Sequence, residues 1–118
     1  MILSYLDRHN YRFNKYSDNI INDLKIKYDD CYIIPEGANN ELGVKGCQEI
    51  LKEVDMKFDY VCCAVGTGCT ASGIIRSMDA SQKFIGFCPF NNYYEQRQSI
   101  MSFCRHIQND WQLISDVY

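Results

Sequence analysis

Two rhythms of apolar and polar positions alternate along the 118 residues of the chain. Short apolar runs of the kind a buried strand carries lie at Ile2 to Leu6, Cys31 to Ile34, Tyr60 to Val65, Phe84 to Phe87 and Trp111 to Ile114. Between most of them the spacing turns helical. Ser17 or Asp18 can cap a helix that puts Ile20, Ile21 and Leu24 on one face and ends near Tyr28. Asn39 or Asn40 can cap a second, carrying Leu42, Cys47, Ile50, Leu51 and Val54. A third begins on the small residues Ala71, Ser72 and Gly73 and runs into Ile74 and Ile75, and a fourth spans Tyr93 to His106 with Ile100, Met101 and Cys104 inward. The segment Asp7 to Ser17 has no clear period and reads as a surface loop. Asp29-Asp30 marks a turn, and Pro35 closes the second strand, because a ladder tolerates proline only at its end.

Five strand candidates alternating with four helices or helix-like connections predict an α/β fold: an open, mostly parallel sheet of about five strands, helices on both faces and right-handed crossovers. The length suits a single domain, 1–118. Ligands of such sheets bind beyond the carboxyl ends of the strands. Two loops of unusual composition, Pro35 to Asn40 and Gly66 to Thr70, lie at such ends.

The second of these loops has the layout of an anion cradle. Its glycines free consecutive backbone N–H groups to point at one place, the helix that follows adds the positive end of its dipole, and Thr67 and Thr70 add hydroxyls, so a phosphate is the natural guest. Gly66-Thr67-Gly68-Cys69-Thr70-Ala71 also satisfies a loose dinucleotide pattern, but no acid stands at the end of the next strand, at Cys88 to Asn91. A P-loop reading fails as well, since Ile74 and Ile75 stand where its Lys and Ser/Thr belong. The same glycines are also compatible with a tight turn that serves packing alone. Gly43 and Gly46 cost their helix about 1 kcal/mol each relative to alanine, which points to close approach of a ligand or of another backbone.

Composition narrows the functional classes. A hydrophobic content of 47%, with 14% aromatic residues, is ample for a core. Twelve basic against fifteen acidic residues give a net charge of -3 with neither sign gathered in a run, so nothing recruits nucleic acid or an anionic membrane. The seven cysteines, at 31, 47, 62, 63, 69, 88 and 104, form no CxxC, and His9 and His106 stand apart from them. Neither a metal site nor a disulfide framework is expected. The cysteines read as reduced, mostly buried thiols, with Cys62 and Cys63 inert inside a buried strand. The amino terminus lacks the features of a signal peptide and no apolar run approaches the length of a membrane span, which predicts a cytoplasmic protein.

The segments IPEGANNELGVKGCQEI, Ile34 to Ile50, and FDYVCCAVGTGCTASGII, Phe58 to Ile75, closely resemble in order and separation the middle of a family of pyridoxal-phosphate enzymes. These are the 1-aminocyclopropane-1-carboxylate deaminases and D-cysteine desulfhydrases, of the tryptophan-synthase-β-like fold (fold type II). In that family the counterpart of Gly66 to Thr70, usually GTGGT, holds the cofactor phosphate, and the counterpart of Pro35 to Asn40 borders the active site. The resemblance therefore implies pyridoxal phosphate as cofactor, with Gly66, Thr67, Gly68, Cys69 and Thr70 binding it. It also implies elimination and deamination of a small amino acid as the parent activity. Cys69 stands where the family has glycine, which costs strain if the position needs positive φ and otherwise narrows the cradle. Ala38 replaces a residue that is often glycine, a mild change.

Family members are longer, and the lysine that links them to the cofactor lies in an amino-terminal Gly-Asn-Lys motif. Phe13-Asn14-Lys15 lacks the glycine before it and the Arg-Lys-Leu-Glu after it, and aligns downstream of the true lysine. The chain is thus expected to be a fragment of the parent enzyme, with no catalytic residue of its own and no activity alone. Glu36 reads either as an acid/base group or as a loop cap, and Cys69, near a helix amino terminus, as the one thiol open to activation. Two other readings fit the sequence: a module that binds phosphorylated ligands, and a structural remnant that self-associates or pairs with other subunits through an exposed former interface.

Overall fold

A computed structural model describes residues 3–29, 31–89, 91 and 93–115. Its internal contacts divide the chain into two compact units, Met1–Ile34 and Pro35–Tyr118.

In the first unit a π-helical turn, Asn10–Asn14, occupies the segment expected as a loop. The Asp7 carboxylate starts it by accepting the Asn10 backbone N–H at 3.0 Å, and this bond, with one from the Asn10 side chain, holds the Asp7 carboxyl below its usual range. Helix α1, Asp18–Lys27, follows Ser17 as predicted, with Ile20, Ile21 and Leu24 half-buried along one face. Neither of the strands expected in this unit forms over the described residues; Ile2 lies outside them. Cys31 to Ile34 keeps the alternation of a strand, with Tyr32 and Ile34 exposed, but is not part of a strand among the described residues. An apolar run becomes a strand only when another strand accepts its backbone bonds.

The second unit contains the sheet. Strands β1 (Tyr60–Ala64), β2 (Lys83–Phe87) and β3 (Asp110–Ile114) are parallel, in the order β1-β2-β3. Among the described residues the sheet therefore has three strands where five were expected. Helix α2 is Glu41–Cys47, α3 (Cys69–Ser77) connects β1 to β2, and α4 (Tyr93–Phe103) connects β2 to β3. The register stacks Val61, Phe84 and Trp111 in one row and Cys63, Gly86 and Leu113 in the next, on the face where α3 and α4 pack. Val65, Ile74, Ile75, Phe84, Ile100 and Cys104 form the core between them. The opposite face carries Tyr60, Cys62, Ala64, Ile85 and Phe87, and there Tyr60 is 59% and Phe87 47% exposed. The helices of this unit thus cover one face of the sheet rather than both.

This one-sided cover corrects several burial expectations. Cys62 is exposed because successive residues of a strand face opposite ways, so only Cys63 turns toward the helices. On α4, Ile100 and Cys104 are inward as expected, but Met101 is exposed and Gln96 takes the inward position one turn before Ile100. On α2 the buried residue is Val44, while Leu42, Ile50 and Val54 remain exposed. The helix is also shorter than its spacing suggested: after Cys47 the chain tightens into a 3-10 turn, Ile50–Glu53. Among the described residues no helix is long and apolar enough to cross a membrane.

Candidate functional site

At the carboxyl end of β1 the ladder continues one step past the strand, Val65 N–H donating to Phe87 C=O at 2.8 Å, and the chain then turns through Gly66 to Gly68. Gly68 has φ 93, a left-handed conformation that favours glycine, and is the residue from which α3 starts. The first intrahelical bond runs from Ser72 N–H to Gly68 C=O at 2.9 Å, so the N–H groups of Cys69, Thr70 and Ala71 precede any acceptor within the helix. These donors and the dipole of a nine-residue helix converge on the turn. A cavity of about 300 Å³ opens there, bounded by the turn on one side and by Glu36 and Gly37 on the other.

The five residues singled out in the sequence therefore lie on one turn and the first helical residues, with different roles. Gly66 is exposed and its open side meets nothing within 4 Å. Thr67 stands against Gly37, where an added Cβ would lie 2.6 Å from the threonine Oγ1. Gly68 is buried beneath Ser99 and Ile100 of α4. Thr70 is exposed, its Oγ1 3.8 Å from the Cys47 thiol. Cys69 is the first helical residue and needs no positive φ; the left-handed residue is its neighbour Gly68. Its thiol donates to Ala38 C=O at 3.2 Å, and burial, followed by the adjacent Cys47 thiol, pushes it up. Burial therefore works against the activation expected of Cys69 at a helix terminus.

The strain expected at Cys69 falls instead on Ala38, whose φ is 49. Its carbonyl accepts both the Cys69 thiol and, at 2.7 Å, the Asn40 N–H, while the Asn40 side chain caps α2 by accepting Gly43 N–H at 2.8 Å. Left-handed geometry costs a residue with a Cβ about 1–2 kcal/mol, against about 0.5–1 kcal/mol for the greater chain freedom of glycine. Ala38→Gly is therefore expected to raise stability by about 0.5–1 kcal/mol, read as a higher urea midpoint at unchanged slope.

A second cavity, about 420 Å³, shares Glu36, Gly66 and Thr67 with the first and adds Asn39, Glu95, Gln96 and Ser99. Gln96 is 1% exposed; its Nε2 donates to the carbonyls of Val65 and Gly66, both at 2.8 Å, and so ties α4 to the turn, while its buried Oε1 has no partner. Asn39 Nδ2 donates to Ser99 Oγ at 3.3 Å and joins the other loop to the same helix. Sequence reasoning missed Gln96 and Ser99, and took Ala38 for a mild change from glycine where the backbone is in fact left-handed. Gln96 had a signal, a polar residue four before Ile100 on the inward stripe of α4.

The side chains with a formal charge around the two cavities are Glu36 and Glu95, and among the described residues of this unit that line them none is lysine, arginine or histidine. An anion would be held by backbone N–H groups and threonine hydroxyls. Among the described residues no group of three or more His, Cys, Asp or Glu could hold a metal ion. No protein-family model, no curated protein and no solved structure matches the chain.

Proposed function

We propose that Pro35–Tyr118 is a seat for a phosphorylated ligand, and more specifically for the phosphate of pyridoxal phosphate, as in the deaminases and desulfhydrases that its sequence resembles. The observation that carries this reading is the Gly66 to Thr70 turn. It opens a nine-residue helix onto a cavity of about 300 Å³ at the carboxyl end of a parallel strand, opposite the loop that begins at Pro35. The phosphate end of the cofactor fits: the N–H groups of Cys69, Thr70 and Ala71 are uncommitted within the helix, and the open side of Gly66 leaves room for a ligand atom.

When bound, pyridoxal phosphate supplies an electron sink that lets a bond at the α carbon of an amino acid break. The residues of this unit would hold and orient its phosphate, Gly66 to Thr70 through backbone donors and Thr67 and Thr70 through hydroxyls. Glu36 lines both cavities and stands where a proton could be accepted or released. A lysine to anchor the cofactor is not among the described lining residues, so in this proposal the chain binds without turning over and belongs to a longer, cytoplasmic parent enzyme acting on a small amino acid.

The test is thermal melting of the purified chain with and without millimolar pyridoxal phosphate, with inorganic phosphate and pyridoxal as controls. A ligand that binds only the folded state adds about 2.7 kcal/mol at a hundredfold excess over its dissociation constant. Pyridoxal phosphate is expected to raise the melting temperature, inorganic phosphate to raise it less, and pyridoxal not at all, with Thr67→Ala and Thr70→Ala removing the shift. No shift with either phosphate ligand would sink the reading. That result would favour the second one, a structural piece that associates through the uncovered sheet face around Tyr60 and Phe87.

A further inference from the structure

Helices α2 and α3 cross on small residues. Gly43 and Cys47 of α2, and Cys69 and Gly73 of α3, are each four apart and so share one face of their helix. A Cβ added to Gly43 would lie 2.9 Å from Cys69 Sγ, and one added to Gly73 would lie 2.3 Å from Cys47 Cβ. The cysteine of each helix sits in the notch that the glycine of the other leaves. Cys47 Sγ points back along α3 toward Thr70 Oγ1, 3.8 Å away on the residue next to Cys69. Cys47 is half-exposed and Cys69 buried, and beyond their contacts with the facing glycines the two thiols meet each other in a side-chain hydrogen bond.

We propose that Cys47 and Cys69 form a reversible disulfide that locks α2 to α3 beside the Gly66 to Thr70 turn. Bridging needs Cβ atoms about 3.5–4.5 Å apart, a separation that small residues at a helix crossing permit. The oxidant is a low-molecular-weight disulfide such as oxidised glutathione. The more accessible Cys47, as thiolate, attacks one of its sulfurs, forming a mixed disulfide and expelling one glutathione thiolate. Cys69, after giving its proton to solvent, attacks the Cys47 sulfur and expels the second. Two protein thiols are oxidised, one small disulfide is reduced to two thiols, and the protons end on the departing glutathiones.

The bridge withdraws Cys69 Sγ from Ala38 C=O, leaving that carbonyl the Asn40 N–H at 2.7 Å. The loop that places Glu36 and Gly37 on the cavity then loses a tie to α3. That this governs a phosphate ligand rests on the function proposed above; formation of the bridge does not.

The experiment equilibrates the full chain in glutathione buffers from reducing to oxidising, alkylates the remaining thiols and maps the peptides by mass spectrometry. Two of the seven thiols should disappear together and return with dithiothreitol. A peptide linking Cys47 to Cys69 should appear, and Cys47→Ser should prevent it. The oxidised chain should also lose the melting shift given by pyridoxal phosphate. A first disulfide at Cys62 and Cys63, or seven free thiols in the most oxidising buffer while circular dichroism shows a folded chain, would overturn the proposal. A bridge that forms in a chain whose reduced state shows no pyridoxal phosphate shift would leave it standing and remove the phosphate reading instead.

Discussion

Gly73→Ala is expected to destabilise the second unit by about 3 kcal/mol, enough to lower its melting temperature by roughly 12–24 °C in a domain of this size. The added methyl would lie 2.3 Å from Cys47 Cβ, 2.7 Å from Val44 C=O and 2.8 Å from Cys47 C, and two of these three neighbours belong to the backbone of α2. Backbone cannot swing aside like a side-chain tip, so the two helices must separate and Val44, fully buried, loses its packing. Against this, alanine gains about 1 kcal/mol of helix propensity, too little to compensate. Gly46→Ala is the matched control. It lies in α2, and its added Cβ would meet nothing within 4 Å. There the propensity gain stands alone and stability should rise. Thermal melts of the two variants should move in opposite directions, and a Gly73→Ala chain as stable as its parent would refute the close crossing of α2 and α3.

Phe84→Ala is expected to cost about 3–5 kcal/mol, a large share of the 5–15 kcal/mol that holds a typical domain folded. Phe84 is fully buried at the middle of the sheet, paired in register with Val61 on one side and Trp111 on the other, and packed in the cluster that includes Ile75 and Ile100. Truncation removes apolar burial and leaves a void that strands on both sides keep from collapsing. Phe87→Ala, on the same strand but on the open face, removes the same atoms from a side chain already half in water and should cost only a fraction as much. Urea unfolding of the two variants compares the faces directly; equal costs would mean that the open face is covered.

The parts of the fold legible in the sequence were those whose pattern and neighbours agree. Tyr60 to Val65, Phe84 to Phe87 and Trp111 to Ile114 are apolar runs that find each other as parallel strands, and Ser17 and Asn40 stand at the helix starts their positions suggested. The runs read as strands at the amino terminus and at Cys31 to Ile34 have the composition of strands but are not strands among the described residues, and pairing is not written in a single run. Gly43 was legible as a close contact: its Cβ position lies 2.0 Å from Ala38 C=O. Gly46 was read the same way, but a Cβ added there would meet nothing within 4 Å. The turn after β1 was visible because glycines stand between an apolar run and a helix start, though it ends at Gly68 and the helix takes in Cys69 and Thr70. The left-handed geometry at Ala38 was not read, since alanine itself does not favour it and the glycine of the resembling family at that position was taken as a mild difference.

The uncovered face of the sheet makes the stability of this unit conditional. Parallel strands are ordinarily dried on both sides, and the runs around Val61 and Ile85 are apolar enough for that, yet only the side toward α3 and α4 is excluded from water by helices of the unit. Each square ångström of the wet side that becomes covered would add about 25 cal/mol of driving force that folding of the unit has not drawn on. Its free energy of unfolding is therefore less a fixed property of Pro35–Tyr118 than a linked quantity, rising with the concentration and affinity of any molecule that settles on that side.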